Sequence, residues 1–359
     1  MFQHILVPLD GSPRAEHALP IAARLARASS GCITLLRVVP LQSAFAWQTR
    51  KSIRLQEAID ADRAQAANYL NRLAASEELA GVNMITEVCH GQAAQLILAA
   101  AESHSLDTPP VDLIVMCSHG YMGFKRWVLG SVAQKIARRS PVPLLVLRDG
   151  GIVPSCPYPD PSRPLHAVAA TIALDGSSLA EAALLPTAYL VAALAAPAQG
   201  SLHLTRVVQR PGIGAVLNGR ERVDPLQRDK AIEGAINYLC KTADTLRASL
   251  AGDLHLAVTW SVAAHSDVAG TLIKVAEMGR VDAGTSVFGG CDILALTTHG
   301  RGGLQRWALG SVTERILGAT RLPMLVVDHK GGKTNGGETE ESTKAARNAV
   351  GMETQACLL

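Results

Sequence analysis

The chain has 359 residues, of which 48% are hydrophobic, 18% charged and 4% aromatic, with a net charge of +3. At about 150 residues per domain this length reads as two domains, each able to bury its own core, and the composition excludes disorder as the main state. So small a positive charge gives no ground for nucleic acid or an anionic membrane as the main partner.

With few aromatics, the core must be built from Ala, Leu, Val and Ile. That suits helices on a buried parallel sheet better than a sandwich. Residues 5–9 form a short apolar run and read as a strand. Residues 15–28 show helical spacing, with Ala, Leu and Ile on one face. A strand follows at 33–39, a long helix at 50–76, a strand at 82–88 and a helix at 92–102. Residues 113–117 are a fully apolar strand, 128–138 a helix and 144–147 a last strand. This alternation predicts a parallel sheet with right-handed crossovers and helices on both faces.

Residues 149–164 read DGGIVPSCPYPDPSRP, a Pro- and Gly-rich stretch that cannot sustain a helix or central strand and is predicted as a linker. Beyond it the pattern starts again. Leu-Asp-Gly-Ser stands at 9–12 and again at 174–177. SHGYMGFKRWVLGS at 118–131 returns as THGRGGLQRWALGS at 298–311. The period is too long for a solenoid unit, so one domain is duplicated. The first domain is assigned to residues 1–148 and the second to 165–328. The second starts with a strand at 168–174, ends with one at 324–327, and carries an insertion at 279–290. The polar tail, residues 329–359, is expected to be disordered or loosely attached.

The seven cysteines form no C-x-x-C pair, which argues against a disulfide framework or structural zinc and favours a reducing cytoplasm. The cysteines are expected to be buried small hydrophobes. No basic region precedes the first apolar run, so no signal peptide is expected. The apolar stretch 179–198 is interrupted by Glu181, Pro186 and Pro197, so no membrane span is expected there. Cys357 lies third from the end, where a prenylation box needs the fourth position. There is no Walker motif, no complete dinucleotide fingerprint and no hydrolase elbow.

In open parallel sheets ligands bind beyond the carboxyl ends of the strands, where strand order reverses. Asp10 and its copy Asp175 fall there. So does the loop after the fourth strand, Cys117-Ser118-His119-Gly120 to Gly130-Ser131, repeated as Thr297-Thr298-His299-Gly300 to Gly310-Ser311. Glycines let backbone N–H groups approach an anion, and a helix start at Ser131 or Ser311 attracts phosphate. Lys125, Arg126, Arg301 and Arg306 add positive charge. Each feature has an ordinary structural reading beside the functional one. Gly-Ser can be a plain helix start, and Asp10 can cap the helix after it. His119 and His299 read as loop-orienting hydrogen-bonders, since no carboxylate or nucleophile is placed beside them by sequence. Trp127 and Trp307 read as packing residues. Cys117, at a strand end near the loop, is a site where a thiolate would be stabilised.

The early Val-Pro-Leu-Asp-Gly-Ser, the S-H-G-x9-G-S loop and the Pro-Val-Pro-Leu-Leu-Val that follows resemble the universal stress protein family of UspA type. The second half matches through Ile-Ala-Leu-Asp-Gly-Ser, T-H-G-x9-G-S and Leu-Pro-Met-Leu-Val-Val. The resemblance implies two tandem Rossmann-like domains, similar to adenine nucleotide alpha hydrolases, each with five parallel strands in the order 3-2-1-4-5. It implies that the domains pair through their last strands, residues 144–147 and 324–327, as a built-in pseudo-dimer. Association of two chains as a homodimer stays open.

Many family members bind ATP through G-x2-G-x9-G-[ST]. Carried over, the nucleotide-binding positions are Gly120, Gly123, Gly130 and Ser131 in the first loop, and Gly300, Gly303, Gly310 and Ser311 in the second. His119 and His299 lie within these loops. Asp10 and Asp175 fall near the ribose, and the adenine-contacting backbone after the second strand maps to Val38 and Val207. Cys117 and Thr297 stand where the family has its first glycine, and a side chain there crowds the phosphate approach. If one site alone binds, the second is favoured, because Arg301 adds charge and Gly302-Gly303 adds room. The resemblance implies ATP, ADP or AMP as ligand, with Mg2+ held through its phosphates. Three readings follow: a nucleotide-binding stress-response module acting through conformation or partners, an interaction protein of the same fold without nucleotide, and a slow ATPase or self-phosphorylating protein.

Overall fold

The computed structural model describes residues 1–40, 52–103, 108–118, 129–148, 168–209, 225–250, 254–279, 283–284, 289–299 and 309–328. The linker and the tail therefore lie outside the described residues.

The first strand, β1 (His4–Leu9), is buried at every position. The single helix expected over 15–28 is two helices, α1 (Pro13–Glu16) and α2 (Leu19–Ser29). The break falls ahead of Pro20, which cannot donate to the turn before it. The second half breaks in the same way, into α6 (Ser178–Glu181) and α7 (Leu184–Ala195), with Pro186 in the first turn of α7. Between these, β2 (Cys32–Val39), α3 (Ser52–Ala74), β3 (Asn83–His90), α4 (Ala93–Glu102), β4 (Leu113–Cys117), α5 (Ser131–Arg139) and β5 (Leu144–Leu147) complete the first half. Helix α5 starts three residues later than its periodicity suggests, because Gly130, with φ −58° and ψ 150°, is not helical.

The second half runs β6 (Ala169–Ala173), α6, α7, β7 (Gly200–Gln209), α8 (Pro225–Leu250), β8 (Leu256–His265), α9 (Val268–Met278), β9 (Ala283–Gly284), β10 (Ile293–Thr297), α10 (Ser311–Ala319) and β11 (Met324–Val327). Each half orders its five parallel strands 3-2-1-4-5. The insertion adds the two-residue strand β9, antiparallel to β8 at the outer edge.

The two halves join in one eleven-stranded sheet, β3-β2-β1-β4-β5-β11-β10-β6-β7-β8-β9. The seam is antiparallel. Leu145 lies opposite Leu325, with Val146 opposite Met324 and Leu144 opposite Val326. Both strands are buried throughout. One core continues across the seam, beneath α2, α3, α7 and α8, and a second lies beneath α4, α5, α9 and α10. Arg24 on α2 donates to the Ala196 carbonyl of the other half at 3.0 Å, and Arg138 on α5 pairs with Glu314 on α10 at 2.6 Å. Residues Met1–His329 form one compact unit. Residues 178–195 are apolar and long enough to cross a membrane by length and composition. In the fold they are broken between α6 and α7, and Leu190, Val191 and Leu194 sit in the core.

Candidate functional site

Strand order reverses between β1 and β4 in the first half and between β6 and β10 in the second. The residues just beyond those strands form one candidate site per half.

At the end of β1, Asp10 Oδ1 accepts from the Ser12 amide at 2.9 Å and the Ser12 hydroxyl at 2.6 Å. Ser12 Oγ in turn accepts from Ala15 N at 3.2 Å and caps α1. The second half repeats this with the same distances, through Asp175, Ser177 and Ala180. The cap is therefore the serine, and the aspartate braces it. The turn needs glycine between them: Gly11 has φ 80° and Gly176 φ 87°.

The loop after the fourth strand returns to the start of α5 or α10. Gly130 N donates to Ser118 O and Gly310 N to Thr298 O, each at 2.8 Å. Gly130 and Gly310 are the N-caps, and a glycine supplies no side-chain cap. Ser131 and Ser311 are the exposed first helical residues. Among the described residues, the first N–H groups of both helices at the switch point have no side-chain acceptor, the arrangement that favours an anion.

The two first-position residues send their side chains elsewhere. Cys117 Sγ points to the Ala15 carbonyl at 3.9 Å, and Thr297 Oγ1 donates to the His299 carbonyl at 2.8 Å. Val38 and Val207 lie inside their strands rather than after them. β3 and β8 extend far enough to place Cys89 opposite Val38 and Ala263 opposite Val207. His119, Gly120, Gly123, Gly300 and Gly303 lie outside the described residues, as do Lys125, Arg126, Arg301, Arg306 and both loop tryptophans. The described cysteines form no disulfide and are partly buried, except Cys240, which is exposed. Burial, with Glu87 beside it, pushes the Cys89 thiol up to about 11, so it is not a ready thiolate at neutral pH.

The loop of the second half is braced more heavily. Thr313 Oγ1 on α10 donates to Thr297 O at 2.9 Å. Thr298 Oγ1 donates to Asp328 Oδ1 at 2.7 Å, and His299 Nδ1 lies 3.0 Å from the same hydroxyl. In the first half the corresponding residues are Cys117, Ser118, Ala133 and Arg148. Arg148, 5% exposed, donates through Nη2 to the Leu317 carbonyl on α10 of the other half. Burial lowers its pKa to about 10. Asp328 was not visible from sequence because it lies thirty residues beyond Thr298. Its counterpart in the repeat, Arg148, has the opposite charge and gives no signal.

A second duplicated cluster was also missed. Tyr69 on α3 donates to Glu16 on α1 at 2.9 Å and lies beneath the Arg37 guanidinium at 5.9 Å. Tyr238, Glu181 and Arg206 repeat it, at 2.9 and 5.3 Å. Burial and the neighbouring glutamate push both phenols above their usual range. Aligning the two halves by their tyrosines would have found it. Arg37 also donates to Leu9 O, so the cluster ties the Asp-Gly-Ser turn to the long helix.

Among the described residues no cluster of His, Cys, Asp and Glu is arranged to hold a metal ion.

The sequence pattern of the Universal stress protein family matches residues 1–148 and 170–328. A universal stress protein of Methanocaldococcus jannaschii is 28% identical over 148 residues, covering 41% of this chain and 83% of that protein. One of Bacillus subtilis is 28% identical over 153 residues, covering 41% of this chain and all of its own length. Each relative thus spans one half. The crystal structure of a universal stress protein from Archaeoglobus fulgidus is similar in fold over 91% of this chain and 99% of its own. Its TM-score is 0.58 at 19% identity. A Pseudomonas aeruginosa structure aligns over 91% and 93%, with TM-score 0.54 at 18% identity.

Proposed function

The chain belongs to the universal stress protein family, and from that premise we propose that it is a cytoplasmic adenine-nucleotide-binding module that reports nucleotide occupancy through conformation or partners. The observation that carries this reading is the glycine-capped helix start beyond the fourth strand, present in both halves and without a side-chain acceptor among the described residues. Backbone N–H groups of Ser131 or Ser311 and their neighbours would hold the phosphates, and the helix dipole favours their charge. Asp10 or Asp175 would hold the ribose. Bound nucleotide would supply phosphate charge and, through it, a seat for Mg2+. Cys117 and Thr297 engage backbone carbonyls, those of Ala15 and His299, with their polar atoms. The seam gives the family's paired arrangement within one chain, so the two halves act as a pseudo-dimer.

Native mass spectrometry of the purified chain, alone and with Mg-ATP, tests this. One or two adenine nucleotides per chain are expected, lost in the Gly130→Asp/Gly310→Asp double variant. No adduct at millimolar ATP, or equal loading of the double variant, refutes the reading. The chain would then act through its surfaces alone.

A further inference from the structure

A ring of contacts closes around the turn that carries Asp10. Gly11, with φ 80°, gives that turn a wide backbone freedom, and Asp10 is exposed, so the place of its carboxylate depends on what grips the turn. Arg37 stands opposite Leu9 on β2 and donates from Nη1 to the Leu9 carbonyl at 3.3 Å. Its guanidinium also covers Gly11, where an added Cβ would stand 3.0 Å from Nη1. Tyr69 on α3 lies against that guanidinium, 5.9 Å from ring centroid to Cζ, and donates its hydroxyl to Glu16 Oε1 at 2.9 Å. Glu16 belongs to α1, the helix that Ser12 caps, and Ser12 is braced by Asp10. The contacts thus run from the carbonyl before Asp10, through Arg37, Tyr69 and Glu16, back to the serine after it.

The second half keeps the set. Arg206 lies 5.3 Å from the ring centroid of Tyr238, which donates to Glu181 Oε1 at 2.9 Å. Glu181 belongs to α6, capped by Ser177, and Ser177 is braced by Asp175. Arg206 follows Thr205, whose carbonyl accepts from the amide of Leu174, just before Asp175. Other positions at this end of the sheet have changed between the halves, with Thr297 for Cys117 and Asp328 for Arg148. The arginine, tyrosine and glutamate have not. Packing alone needs only the ring, as phenylalanine would supply it, whereas the hydroxyl and its carboxylate fix a direction.

We propose that Arg37, Tyr69 and Glu16, and likewise Arg206, Tyr238 and Glu181, are positioning residues through which Asp10 and Asp175 recognise the sugar hydroxyls of a ligand. The proposal rests on the nucleotide reading of these sites. None of the six touches the ligand. They hold the Asp-Gly-Ser turn at both its ends, so the carboxylate is set before the sugar arrives and binding does not have to order it. An ionised carboxylate only accepts hydrogen bonds, and the neighbouring hydroxyls of a ribose are donors that a sugar without them cannot replace. The ligand class is therefore a ribonucleotide, in preference to its deoxy counterparts.

Calorimetric titration of the whole chain compares Mg-ATP with Mg-dideoxy-ATP, which lacks both ribose hydroxyls. The first half is read in a Gly310→Asp background and the second in a Gly130→Asp background. ATP is expected to bind about tenfold or more tighter than the dideoxy analogue, the worth of a hydrogen bond to a charged group. In the first half, Tyr69→Phe, Arg37→Met and Glu16→Ala are each expected to remove most of that preference by weakening ATP alone. Tyr69→Phe keeps the ring in place, so its loss is not one of packing. Glu16→Gln, which keeps an acceptor for the phenol, is expected to restore the preference. Tyr238→Phe and Arg206→Met are expected to act in the same way in the second half. Variants that keep the preference overturn the proposal. So do variants that weaken both ligands alike, the mark of a structural role alone, and parent halves that bind the two ligands equally. ATP bound by neither half overturns the nucleotide reading along with it.

Discussion

His203 makes the stability of the second half dependent on pH. It lies on β7, is 1% exposed, and spans two hydroxyls, Thr259 Oγ1 at 2.8 Å from Nδ1 and Ser261 Oγ at 2.7 Å from Nε2. Burial lowers its pKa from 6.5 to about 4. Below pH 6.5 the unfolded chain takes up a proton that the folded chain refuses until near pH 4. The neutral ring's contribution is therefore complete above the unfolded value and is lost as pH falls through this window. At about 1.4 kcal/mol per pH unit of displacement, the loss is roughly 2 kcal/mol at pH 5 and approaches about 3 kcal/mol at pH 4. His203→Gln keeps a donor and an acceptor but does not titrate. Urea unfolding followed by circular dichroism, at pH 7 and pH 5, compares the two proteins. The parent is expected to lose about 2 kcal/mol more than the variant between the two pH values. Parallel losses would refute the reasoning, whatever the variant costs at pH 7.

Gly11→Ala forces a Cβ into a left-handed turn with φ 80° and within 3.0 Å of the Arg37 guanidinium. An expected loss of about 1–2 kcal/mol is read by the same unfolding assay, and an unchanged midpoint would contradict the account of the turn. Leu325→Ala removes a fully buried side chain opposite Leu145 at the centre of the seam. It is expected to cost about 2–5 kcal/mol, and a cost near that of a surface change would show that the seam carries little stability.

The strand runs and the duplication were legible because they are local signals. Three strands, at 113–117, 144–147 and 324–327, lie where their uninterrupted apolar runs placed them. The order of strands and the pairing of Leu144–Leu147 with Met324–Val327 came from the family resemblance, since periodicity is silent on neighbours. The break between α1 and α2 was missed because apolar spacing continues across Ala18. The two-residue strand β9 is too short to leave a pattern. The family resemblance put the adenine contact after the second strand, yet Val38 already fell within the run read as a strand at 33–39, and Val38 and Val207 lie inside β2 and β7. At the candidate site, sequence named both aspartates and both helix starts. The ordinary alternative for Asp10, capping the next helix, is filled by Ser12 instead. Sequence could not join Asp328 to Thr298, because a hydrogen bond across thirty residues depends on the neighbouring ends of β10 and β11. Histidine placement shows the same limit. The first half sets His4 on β1 against Thr34 on β2, whereas the second sets its histidine on β7, at the position of Thr34. The repeat keeps a polar pair in the core and exchanges which strand supplies the ring.

The seam has an approximate two-fold axis through Leu145 and Leu325, the pair that face each other across it. In an assembly of two identical subunits every contact about such an axis occurs twice, and any substitution must suit both copies. Joining the copies in one chain removes that condition while keeping the contacts. Arg148 and Asp328 use the freedom: they stand at equivalent positions with opposite charge, one reaching across the seam and the other holding its own loop. An identical pair would have to place two buried arginines or two aspartates around the axis. Fusion thus lets one half specialise without unsettling the other.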